Sequence, residues 1–146
     1  MWVRDARKGR VMGAWGVLAF DNDDANDWAY GLDETEDLSL VESAFHAVEE
    51  ADAYLEAPDA SNALAACEVV ARLNGKSGYK NAYTEKVDRW VTAHPIKPPA
   101  ALVARAGAAL DRILGDNSEL RALWGDSGKN DEWLAAVEEL RQRLRT

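Results

Sequence analysis

Trp133, Val137, Leu140 and Leu144 step by four, three and four residues along the last segment of the chain. That spacing lines them on one face of an α-helix and leaves the other face to charge. The ends agree: Asn130 is placed to cap, Asp131 and Glu132 fall in the positive first turn, and Arg141, Arg143 and Arg145 fall in the negative last turn. The same grammar recurs upstream. Leu38, Val41, Phe45, Val48 and Leu55 form one stripe over residues 38–57. Pro58-Asp59 stops that helix and opens another over residues 60–74, with a broad apolar face of Ala63, Leu64, Cys67, Val70 and Ala71 and Gly75 beyond its end. Further helices are expected from Thr84 to His94-Pro95, from Pro98-Pro99 to Leu114, and from Asn117 or Ser118 to Trp124. Asp21 or Asn22 caps a short first helix that Gly31 ends, with Asp23, Asp24 and Asp27 in its opening turns.

Gly13 and Gly16 make residues 14–20 a poor helix, so this stretch is read as extended. No convincing strand alternation occurs elsewhere, and no repeat of about 34 to 45 residues recurs. The fold class is therefore all-α: a single compact array of about six or seven short helices with an extended N-terminal segment, spanning residues 12–146. Six tryptophans fall mostly at core spacing, which points to packing or interface anchoring more than to a ligand platform.

Charge divides the chain. The net charge is −9, yet residues 21–57 hold thirteen carboxylates and no Lys or Arg, and residues 58–146 hold thirteen bases against twelve acids. An acidic stretch of this kind repels nucleic acid and attracts a basic partner, and it also serves as a solvated face. No apolar run approaches the roughly 20 residues that span a membrane. The basic residues 1–11 lack the apolar stretch of a signal peptide, and Cys67 has no second cysteine to pair with. A cytoplasmic protein without membrane association is expected. Residues 1–11 read either as a disordered arm or as sequence ahead of a start at Met12.

The stretch Met-Gly-Ala-Trp-Gly-Val-Leu-Ala-Phe-Asp-Asn-Asp-Asp-Ala-Asn-Asp-Trp, from Met12 to Trp28, sets two glycines, two tryptophans and a phenylalanine against an acidic cluster. It resembles the opening MGxWGxxxFDNDxAxDW of a bacterial family of uncharacterised proteins. Residues 116–124, Asp-Asn-Ser-Glu-Leu-Arg-Ala-Leu-Trp, with Trp133 beyond them, resemble the C-terminal signature of the same family. The resemblance covers roughly Met12 to the end of the chain. It implies no activity, cofactor or catalytic residue.

Candidate chemistry is sparse. Asp21-Asn22-Asp23-Asp24 offers clustered oxygens, but neither register gives the ligand, glycine and glutamate positions of a calcium loop, so helix capping is the plainer reading. Glu42, His46, Glu49 and Glu50 form the one carboxylate–imidazole cluster, with spacings that set Glu42 and Glu49 beside His46 on one helical face. A two-metal bundle needs Glu-x-x-His on two helices, but Ser43 stands three residues before His46 and His94 precedes a proline at a helix end; a solvated histidine, a single-metal site or an acid–base site are left. Gly75-Lys76-Ser77 resembles the tail of a phosphate loop, but Val70 stands where the first glycine belongs and a helix precedes it. Cys67 lies mid-face in an apolar helix and reads as an inert buried thiol. One cysteine and two histidines cannot close a zinc site without carboxylates.

These observations favour a non-catalytic interaction protein that needs no cofactor and docks a basic protein through residues 21–57. By analogy with compact acidic inhibitor and immunity proteins, it would cover the site of a basic nuclease or toxin. The candidate residues are Trp15, Asp21, Asp23, Asp24, Asp27 and Trp28, followed by Glu42, His46, Glu49 and Glu50. The alternatives are a small-ligand or divalent-metal binding protein and an enzyme with a carboxylate acid or base.

Overall fold

The computed structural model describes residues 14–145. The reading of residues 1–11 as an arm or upstream sequence lies outside the described residues. The described chain is all-α, with α1 (Asp23–Tyr30), α2 (Ser39–Glu49), α3 (Ala57–Leu73), α4 (Glu85–Ala93), α5 (Ala100–Ile113), α6 (Glu119–Gly125) and α7 (Asn130–Arg145).

Local chemistry accounts for most boundaries. The Asn22 side chain accepts the Ala25 N–H at 2.9 Å, capping α1, and Ser118 accepts the Arg121 N–H at 3.4 Å at the start of α6. Pro58 sits in the first turn of α3 and Pro99 directly precedes α5, where a missing N–H costs no helical hydrogen bond. Gly75 turns the chain out of α3 with φ +80°, a conformation that favours glycine.

Two boundaries depart from the expectation by more than small shifts such as the start of α3 at Ala57 rather than residue 60. Gly31 keeps a right-handed φ of −64°, so the chain runs past it into a 3₁₀ turn, Gly31–Glu34, before reaching α2. The second departure is larger. α2 ends at Glu49 rather than near Ala57, because the backbone of Leu55 is claimed by a distant partner. Leu55 N–H donates to Asn117 O at 2.8 Å and Leu55 O accepts Glu119 N–H at 2.9 Å, an isolated parallel bridge with the entrance of α6. A helical Leu55 could not make those bonds. Glu119 then reaches across to accept the Ala57 N–H at 2.8 Å, so a residue 62 positions away caps α3.

α3 is the central element: each of the other six helices packs against it. Residues 63–72 are buried without a break, so this helix is enclosed on all sides rather than amphipathic. Its alanines at 60, 63, 65, 66 and 71 let the neighbours approach closely, and Cys67 donates to Ala106 O at 3.6 Å on α5. Burial pushes the Cys67 thiol well above its ordinary pKa, the condition of an unreactive thiol. Trp124 and Trp133 stack at 6.1 Å, joining α6 to α7.

Candidate functional site

The acidic stretch begins with a closed loop. Residues 14–22 are non-helical and fold back on themselves: Ala14 bridges Asn22 and Trp15 N–H donates to Asp21 O at 3.0 Å. The buried Asp21 carboxylate accepts the Leu18 N–H at 3.1 Å and lies against Gly16, where a Cβ would overlap it. Burial raises the pKa of Asp21, and the Leu18 hydrogen bond opposes the rise. Asp21 is therefore a loop-closing group, turned inward. Trp28 is half-buried against the core, whereas Trp15 keeps 46% of its surface exposed, its ring 5.1 Å from that of Tyr83.

The remaining acids face solvent. Of the thirteen carboxylates in residues 21–57, Asp21 is buried, Asp24 is half-buried and the other eleven are exposed. Asp23 and Asp27 lie on α1, which borders α4, and Glu42 and Glu49 on α2, which borders α5, both helices packing on α3; the other seven stand in the 3₁₀ turn and the connecting segments. Asp23, Asp27 and Tyr30 stand at spacings of four and three and are exposed along one line of α1. At the start of α2 the Ser39 side chain, and then its N–H at 3.0 Å, hold the Asp37 carboxyl below the ordinary range.

The cluster around His46 stays on one helix, but its members take different partners. His46 meets Glu50 at 3.9 Å, one turn on and largely exposed. Glu49 instead receives Arg105 of α5 in a two-point contact at 2.8 and 2.9 Å, and Glu42 stands 3.9 Å from the same guanidinium. Arg105 lowers the pKa of Glu49. Among the described residues no group of three or more His, Cys, Asp or Glu stands together in a way that could hold a metal ion. Asn22 caps while Asp23 and Asp24 complement the dipole of α1, as the capping reading requires.

Sequence reasoning missed the most heavily bonded ionic group. Glu68 and Arg72, four residues apart on α3, are both buried. Arg72 contacts Glu68 at 3.2 Å, Asp88 of α4 at 2.7 Å and the carbonyl of Tyr79, and its guanidinium lies over the Tyr79 ring. Arg143 of α7 grips Glu68 at 3.0 and 2.7 Å, and Glu139 at 2.6 and 2.9 Å. Burial works against the Arg143 cation, but the bonds to Glu68 and Glu139 outweigh it and raise its pKa. Tyr79 in turn accepts the Phe20 N–H at 3.2 Å, tying the acidic loop to this network. Gly78 makes room for it, since a Cβ there would stand 2.6 Å from Arg143 Cζ. The signal was present in the sequence: two opposite charges at i,i+4 inside a helix apolar all round have nowhere to go but the interior.

The chain matches the family described as a domain of unknown function (DUF4259) over residues 13–136. It belongs to that family. The match begins beside Met12, where the resemblance in the sequence also begins, and ends inside α7. No curated protein and no solved structure matches the chain.

Chemically, then, the ionic network braces five segments, and the exposed acids form the surface. The cavities beneath residues 16–19 are about 20 and 10 Å³, far below ligand size. A larger groove of about 980 Å³ runs open to solvent along α4, lined by Lys80, Thr84, Glu85, Arg89 and Thr92 among others. Among the described residues no helix is long and apolar enough to cross a membrane.

Proposed function

We propose that this protein is a non-catalytic acidic interaction module that docks a basic partner through residues 21–57, in the manner of an inhibitor or immunity protein. One observation carries the reading: eleven of the thirteen carboxylates there face solvent, where their fields add and reach a partner. Asp23, Asp27, Asp33, Glu34 and Glu36 make no ion pair among the described residues, so their charge is not cancelled from within the fold. The inward-turned Asp21 and the braced Glu68 supply structure. The lone cysteine and the helical, buried core are consistent with a cytoplasmic site of action.

The test is affinity capture with the wild type and with D23N/D27N/D33N/E34Q/E36Q, at salt of about 50 and 300 mM. A basic protein held by the wild type at low salt, and lost both at high salt and from the neutralised variant, supports the reading. Equal capture by both proteins overturns it. A small-ligand reading has one observation behind it, the open groove along α4. Thermal-shift screening of metabolites and divalent ions, with stabilisation removed by R89A, would bring that reading forward.

A further inference from the structure

Acidity alone does not say where on this surface a partner sits. The two acidic helices differ in a way that does. On α2, Glu49 and Glu42 already meet Arg105, so part of that face is neutralised within the fold. On α1 the exposed carboxylates Asp23 and Asp27 make no ion pair among the described residues. Three exposed rings lie on or next to α1 and α4: Tyr30 on α1 at 62%, Trp15 in the loop before it at 46% and Tyr83 just before α4 at 41%. Trp15 leans on Tyr83 at the entrance of α4. One of these rings, Tyr30, already carries a cation from within the chain. Lys86, three residues after Tyr83, sets its ammonium 4.6 Å from the centre of the Tyr30 ring and 3.5 Å from Asn26 Oδ1.

We propose that the corner between α1 and α4, formed by Trp15, Tyr30 and Tyr83 with Asp23 and Asp27, is the docking surface, and that its partner is a basic protein presenting an arginine-bearing segment. The inference rests on the acidic-docking reading above and adds the place and the chemistry. Rings flanked by carboxylates fit arginine better than lysine. A guanidinium stacks flat on an aromatic face while its edge donates two hydrogen bonds to a carboxylate. Lysine brings a compact, strongly hydrated charge that does only the second. Exposed tryptophan and tyrosine are also the side chains that anchor interfaces once desolvated. Tyr54 is exposed as well, but it has no ring partner among the described residues.

The test uses the full chain and two labelled peptides, nona-arginine and nona-lysine, read by fluorescence anisotropy, with circular dichroism to check each variant. The wild type should bind nona-arginine about fivefold more tightly than nona-lysine. W15A/Y83A should erase that preference, D23N/D27N should weaken both peptides, and E42Q/E50Q should weaken them far less than D23N/D27N does. No preference in the wild type, or a preference that survives W15A/Y83A, overturns the inference. Salt-sensitive binding lost in E42Q/E50Q moves the docking surface to α2 and leaves acidic docking intact. No salt-sensitive binding to either peptide removes both.

Discussion

Single side chains carry opposite jobs here according to what surrounds them. Glu68 faces two guanidiniums in the interior, and Arg72 has no exposed side-chain surface. Removing its charge leaves Arg72 to Asp88 and Arg143 to Glu139, so E68Q should cost up to about 3 kcal/mol in urea unfolding, below the loss for a wholly unpaired buried charge. Glu139 holds the same Arg143 from a half-exposed position, and E139Q should cost less than about 1 kcal/mol. Asp21 tests burial through pH. Its carboxyl is raised in the folded chain, so the folded state binds the proton more readily than the unfolded state, where the ordinary value is 3.8. Stability from this group is complete below that value and is lost as pH rises through the raised one. D21N lacks the charge while keeping an acceptor for Leu18. Its melting temperature should therefore gain on the wild type between about pH 3 and 7, and a constant gap would reject this account.

At the scale of elements, long-range contacts decide where helices stop. The stripe from Leu38 to Leu55 reads as one helix because Leu55 is apolar at the right spacing, and Leu55 is indeed fully buried. It reaches the core from a non-helical segment, bridged to the start of α6. Periodicity reports burial; it does not report which conformation delivers it. Glu119 makes the related point for α3, whose first turn has no side-chain cap of its own from Glu56. E119A should cost about 1–2 kcal/mol, the scale of a lost cap, while E119Q keeps an acceptor and should recover most of it. Chemical denaturation of the pair checks this, and equal losses would mean that the charge, not the cap, matters. The caps at Asn22 and Ser118, in contrast, were legible because donor and acceptor lie three residues apart.

Across the whole molecule, eleven exposed carboxylates in one quarter of the chain repel each other while the ionic network is sheltered from salt. Raising salt from about 20 to 200 mM should therefore raise the melting temperature, by screening repulsion more than it weakens pairs. A fall on calorimetry would mean that surface pairs such as Arg105–Glu49 dominate instead. The sequence by itself determined the helical class, most helix positions and the acidic stretch, because spacing, capping and net charge are properties of neighbours along a chain. The place of Asp21 and Trp15, the partners taken by the His46 cluster and the distant ion partners of Glu68 and Arg72 were decided only in the tertiary structure. Each depends on what a distant segment places against the residue: Tyr83 on Trp15, Arg105 on Glu49, Arg143 on Glu68. Spacing says which residues share a face, and only packing says what that face meets.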